Sequence, residues 1–186
     1  MSSVSWSQFF SATLILVGVP TLIGAGIIIW PVMRAERAGL AGRGGTGGGS
    51  LGPWSTGLVA FPLGFLACMG WLTWSADYHG EFRGPGLPAP NEFPTWQVIA
   101  CGATVVLVCF VAARLSRWAI AGGLAAAAGT AAGFATAFSV AASTDSTGQS
   151  GVGVALSMIG WAVGLGVLML VRGFWMAGRR TLSSPS

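Results

Sequence analysis

The stretch WLTWSADYHGEFRG, residues 71–84, holds the only histidine of the chain between two acids. Asp77, His79 and Glu81 alternate along it, so an extended backbone would place the three side chains on one side. One imidazole with two carboxylates is a plausible ligand set for a transition metal, and a histidine also titrates near neutral pH. The spacing therefore permits a metal-binding or proton-handling site.

Two observations favour a solvated loop over such a site. Polar residues are expected wherever a chain leaves a membrane for water, and Gly80 leaves the backbone between His79 and Glu81 free to adopt conformations other than the extended one. A single histidine without a second histidine or a cysteine beside it is also a poor zinc ligand set. We therefore expect a solvated loop and no cofactor, and we keep a metal site at Asp77, His79 and Glu81 as an alternative.

Motifs for other reactions do not occur in this sequence. The glycine-rich run GRGGTGGGS lacks the lysine that a phosphate-binding loop requires, and no G-x-S-x-G element is present. Cys68, Cys101 and Cys109 show neither the even number nor the spacing of a disulfide framework or a zinc site. We expect the cysteines to pack against helices as small apolar residues.

The composition indicates a membrane protein. Residues with hydrophobic side chains make up 53% of the chain and charged residues only 8%, whereas soluble domains average about 25% charged. Five apolar segments approach or exceed the ~20 residues that a helix needs to cross a bilayer. Although the isoelectric point is about 9.8, the nine basic residues are scattered between apolar segments, so nucleic acid is not expected as a partner.

The predicted fold is an all-α integral membrane protein, a bundle of five transmembrane helices in one domain over residues 1–186. A glycine-rich linker at 34–54 separates the first two spans, and a loop rich in proline and aromatic residues at 77–95 separates the second from the third. The predicted spans cover residues 9–33, 55–76, 96–113, 118–142 and 154–171.

The arginines predict the orientation of the bundle. If the N-terminus is outside, eight of the nine arginines fall on the inner side, as the positive-inside rule predicts. We therefore expect an outer N-terminus, a cytoplasmic C-terminus and a cytoplasmic linker. All nine basic residues are arginine, which favours a GC-rich bacterial genome and hence a bacterial inner or plasma membrane.

Small residues recur in the fourth and fifth spans. Gly129 and Gly133 have the GxxxG spacing in the fourth, and Gly160 and Gly164 repeat it in the fifth. Because small residues allow helix backbones to approach closely in lipid, both spans are expected inside the bundle or against a partner.

Aromatic residues cluster where the second and third spans meet the loop between them. Trp71 and Trp74 end the second span, Phe82 and Phe93 lie in the loop, and Trp96 begins the third span. Such residues favour the headgroup region of a bilayer, so we expect these five to contact lipid or a partner.

The function expected from these features is that of a non-catalytic accessory or assembly subunit of a larger membrane complex. The absence of charges at the centre of the spans and the small-residue helix faces favour it. The expected partners are the lipid bilayer and another membrane protein. One alternative is a small transporter or channel component that works as a homo-oligomer; another is a membrane enzyme or metal-binding protein centred on the outer loop.

Overall fold

The computed structural model describes residues 10–11, 13–38, 48–76, 93–142 and 150–181, and in this part of the chain the structure is all-helical. The first helix, α1, joins the segments Leu14–Gly18, Val19–Gly24, Ala25–Ile29 and Trp30–Arg37 end to end. It is followed by α2 (Pro53–Leu72), α3 (Thr95–Arg114), α4 (Ile120–Ala142) and α5 (Ser150–Thr181). All five helices are long and apolar enough to cross a membrane, which is consistent with a multi-pass membrane protein.

Two prolines shape α1 without ending it. Pro20 and Pro31 each follow a π-helical segment, Leu14–Gly18 and Ala25–Ile29. A proline inside an α-helix lacks the N–H donor and clashes with the carbonyl four residues earlier, and a wider π turn relieves that clash. The helix therefore continues through both prolines.

The fourth helix lies at the centre of the bundle. In its candidate span 89% of the residues are buried, against 22–33% in the spans of the other helices. It packs against α2, α5 and α3, and it also contacts α1. Because most of its side chains are alanine or glycine, neighbouring helices can approach it from every direction.

Glycines bring the backbones of α2 and α4 into direct contact. A methyl group at Gly129 would collide with the carbonyl oxygen of Gly57, and one at Gly133 would collide with that of Phe61. The contact is reciprocal, since a methyl group at Gly64 on α2 would strike the backbone of α4. The fourth-helix glycines therefore pack against the second helix.

The main core surrounds this contact. It contains the three cysteines, which are buried, together with Val105, Leu165 and Met169. α1 lies at the edge of the bundle and buries only one ridge against α4 and α5, formed by Val17, Ala25, Ile29, Met33 and Glu36. The core is thus built chiefly by α2 to α5.

The helix ends differ from the predicted spans in places. α1 reaches Arg37 and α5 reaches Thr181, beyond the predicted limits at 33 and 171, whereas α2 ends at Leu72 and not at 76. Hydropathy marks only the apolar part of a helix, and a polar continuation keeps its backbone hydrogen bonds outside the apolar layer.

Gly64 tests the backbone contact. We expect Gly64→Ala to lower the free energy of unfolding by about 1–3 kcal/mol, because the new methyl group would be 2.9 Å from the Cα of Thr130 and closer still to its carbonyl. Thermal unfolding in mild detergent measures the change. Gly70→Ala on the same helix is the control, since a methyl group there meets nothing within 4 Å. Equal melting temperatures for the two variants would contradict the contact.

Candidate functional site

The cluster predicted as a metal site falls outside the described residues, as does Phe82: Asp77, His79 and Glu81 belong to the segment between α2 and α3. Across the described ranges, no group of three or more His, Cys, Asp or Glu side chains is placed to hold a metal ion. The metal site stays a prediction from the sequence.

Three tryptophans meet where α2 ends and α3 begins. The ring centroids of Trp71, Trp74 and Trp96 are each 6.3 Å from the other two, with Trp71 stacked on Trp74 and edge-on to Trp96. The indole Nε1 of Trp71 donates a hydrogen bond of 3.0 Å to the hydroxyl of Thr104 on α3. We call these three residues the tryptophan end of the bundle. Phe93, partly buried, lies just before α3.

Gln97 fixes the tryptophan end, a role that sequence reasoning missed. Its side chain is fully buried, and its Nε2 donates to the carbonyl oxygens of Trp71 and Trp74 at 2.6 and 2.7 Å. Its Oε1 accepts a 3.3 Å hydrogen bond from the backbone N–H of Ala76. One amide therefore satisfies backbone groups that the end of α2 leaves without helical partners. Its only sequence signal was an uncharged polar residue inside an apolar segment.

The opposite end of the bundle depends on Glu36. Its side chain is only 4% exposed, and its two carboxylate oxygens accept hydrogen bonds of 2.9 and 3.0 Å from the N–H groups of Ile120 and Ala121. These are the first two residues of α4, where the helix dipole favours a negative charge and the N–H groups have no helical acceptor. A carboxylate on α1 thus caps the central helix. The sequence signal for this role was a single acid among the arginines of the predicted inner side.

Five arginines whose side chains the structure describes lie at this end, which we call the arginine end. They are Arg34, Arg37, Arg114, Arg117 and Arg172. The guanidinium groups of Arg37 and Arg117 both lie over the ring of Trp118, at 5.7 and 5.8 Å from its centroid, and Arg34 lies 5.3 Å over another indole ring. No ion pair joins any of the five to a carboxylate in the described part of the chain, where Glu36 is the only acid.

A short backbone pairing closes the arginine end. The N–H of Leu51 donates to the carbonyl of Leu115 at 2.9 Å, and the N–H of Arg117 donates to the carbonyl of Leu51 at 3.0 Å. Ser116, fully buried, lies between them. This pairing fixes the chain that enters α2 against the turn between α3 and α4.

The fifth helix presents its glycine pair outward. A methyl group at Gly160 or Gly164 would meet no atom within 4 Å. Beside them, the side chains of Ile159, Val163 and Val167 are 60%, 61% and 55% exposed. We call these five residues the α5 outer face. It combines small and β-branched residues on one exposed side of the helix.

Comparison with known proteins gave no match to a family model, to a curated protein or to a solved structure.

Glu36 provides a test of the helix cap. We expect Glu36→Ala to lower the free energy of unfolding by about 1–3 kcal/mol, because two buried N–H groups lose their acceptor. The stability of Glu36→Gln should lie between that of Glu36→Ala and that of the wild type. Its amide oxygen can accept from one N–H but carries no charge to interact with the helix dipole. Thermal unfolding in mild detergent gives the order.

Arg34→Gln is the control for the loss of a charged side chain at this end of the bundle, because Arg34 is exposed and such substitutions usually change stability by under about 0.5 kcal/mol. If Glu36→Ala unfolds at the same temperature as Arg34→Gln, the cap contributes nothing to stability and the interpretation fails.

Proposed function

We propose that this chain is a non-catalytic accessory or assembly subunit of a larger membrane complex and that it binds its partner through the α5 outer face. The observation that carries the proposal is the difference between the two glycine pairs. Gly129 and Gly133 are covered by the backbone of α2, whereas Gly160 and Gly164 are covered by nothing in the described structure. A glycine pair with β-branched neighbours suits close contact with another transmembrane helix.

The buried polar side chains support a structural role. Gln97 holds the end of α2, and Glu36 caps α4 with both oxygens. Each is engaged with backbone groups of its own chain, so both side chains contribute to the packing of the bundle. Stable helix ends are what a scaffold requires, and they leave helix faces as the surfaces for recognition.

The proposed location is a bacterial inner or plasma membrane, with the N-terminus outside and the C-terminus in the cytoplasm. The arginine end would then face the cytoplasm, because cytoplasmic loops carry an excess of arginine and lysine. Tryptophans at both ends, Trp30 and Trp118 at one and the tryptophan end at the other, suit the two headgroup regions.

Self-association is the second candidate. The same outer face would join two copies of this chain if the protein is a transporter or channel component that works as a homo-oligomer. The two candidates differ in what is recovered with the protein: a different membrane protein for the subunit, and only further copies of the chain for the homo-oligomer. A membrane enzyme or metal-binding protein centred on Asp77, His79 and Glu81 is the third candidate, and for it the purified protein would retain tightly bound metal.

Substituted cysteines test the orientation. In a variant without the native cysteines, we expect Ala89→Cys and Ser146→Cys to react with a membrane-impermeant maleimide added to intact cells, because both positions belong to the predicted outer loops. Ser50→Cys and Ser183→Cys should react only after the cells are permeabilised. Labelling of Ser50→Cys in intact cells would contradict the proposed orientation.

Gly164 tests the interface. We expect Gly164→Leu to lower recovery of the partner in mild detergent by about five- to hundredfold, because a large side chain separates helices that pack at the glycine. Stability should be unchanged, since the site is open in the monomer. Gly26→Leu on α1 is the matched control, since it too is exposed and would meet nothing within 4 Å.

Crosslinking in membranes before solubilisation detects partners that bind too weakly to remain attached in detergent. A wild-type chain that is monomeric and without any crosslinked partner would refute the subunit hypothesis. Crosslinks only to further copies of this chain would support the homo-oligomer in its place.

A further inference from the structure

The arginine end contains two arginines whose charge no group in the described part of the chain balances. Arg172 on α5 is half-buried, and its Nη1 is enclosed without a hydrogen-bond partner in the described structure. Arg114, at the end of α3, is close enough for the two positive charges to repel each other. Enclosing a guanidinium without an acceptor and beside a like charge is unfavourable, so this pair requires a negative group.

The described chain offers no such group. Glu36 is its only acid, and both oxygens of that carboxylate accept hydrogen bonds from the start of α4. The other three arginines of the arginine end each lie over an indole ring, which supplies a cation–π contact. Arg114 and Arg172 have neither an ion pair nor a ring contact within the described ranges.

We propose that Arg114 and Arg172 bind the phosphate of an anionic phospholipid headgroup where α3 and α5 reach the membrane surface. The position fits this ligand, because α3 ends at Arg114 and the candidate span of α5 ends at Met176, which places both guanidinium groups near the headgroup level. A guanidinium is delocalised and planar, so a phosphate at its accessible edge balances the charge of the whole group, including the enclosed Nη1. The inference requires insertion in a membrane and is independent of the proposed partner.

Lipid binding to the purified full-length chain tests the site. Delipidated protein in a neutral detergent is titrated with phosphatidylglycerol or phosphatidylcholine, and the bound lipid is counted by native mass spectrometry. We expect phosphatidylglycerol to bind about thirtyfold more tightly than phosphatidylcholine, since each of the two arginines contributes about 1 kcal/mol toward an anionic lipid. Arg172→Gln and Arg114→Gln should each weaken that binding about fivefold.

Arg34→Gln is the matched control, because it removes the same charge from an exposed arginine of the same end. If Arg34→Gln weakens the binding of phosphatidylglycerol as much as Arg114→Gln does, the electrostatic attraction is spread over the whole end and the site is refuted. Arg114 is exposed, so Arg114→Gln decides the matter even if Arg172→Gln does not fold.

Three further results would show that the two arginines do not select an anionic lipid headgroup. Equal affinity for the two lipids would overturn the proposal, and so would inorganic phosphate that displaces phosphatidylglycerol at equal concentration, since the site would then take a soluble anion. Loss of a co-purifying protein from Arg114→Gln with unchanged lipid binding would overturn it in favour of an acidic segment of that protein.

Discussion

Direct contact between the backbones of α2 and α4 is the constraint on which the rest of the structure depends. Between helices in lipid there is no hydrophobic drive, so attraction comes from close packing. Gly57 and Gly64 on one helix, and Gly129 and Gly133 on the other, remove the side chains that would keep the two backbones apart. With α2 fixed there, the small side chains on the remaining sides of α4 leave room for α3, α5 and α1 to pack around it.

Burying the central helix creates a second requirement, which the helix ends meet. The N–H groups at the start of α4 are enclosed, and Glu36 from α1 accepts from two of them. At the other end of the bundle, Gln97 donates to carbonyl groups at the end of α2. An unpartnered buried backbone group costs about as much free energy as a lost hydrogen bond. By partnering these groups, the two side chains remove that cost from the close packing of the helices. Their engagement leaves the exposed helix faces and the arginine end as the surfaces available for recognition.

The sequence predicts the five helices well because each is a long apolar segment, and segment length needs no knowledge of neighbours. The partner of the fourth-helix glycines could not be predicted, because α2 and α5 both carry small residues at compatible spacing. Which of them faces α4 depends on the whole bundle. Gly160 and Gly164 show the same GxxxG letters as Gly129 and Gly133 and yet face outward.

The polar contacts were harder to predict than the helices. Glu36 lies 84 residues from Ile120 along the chain, and nothing in the sequence indicates that the two residues are in contact in the folded structure. Gln97 looked like an ordinary residue of the third span. The candidate metal cluster at Asp77, His79 and Glu81 differs from these contacts, because its residues are close together in the sequence but lie outside the described structure. It stays a prediction.

The central claim is that inward small residues build the bundle while the α5 outer face meets a partner, and photo-crosslinking in intact membranes tests it most directly. A photoreactive amino acid is placed at Val163 on the outer face or at Leu107 on α3, which are 61% and 64% exposed. The account predicts a discrete heavier product from Val163 and only lipid adducts from Leu107. Products of equal yield from both positions, or no protein product from Val163, would contradict it.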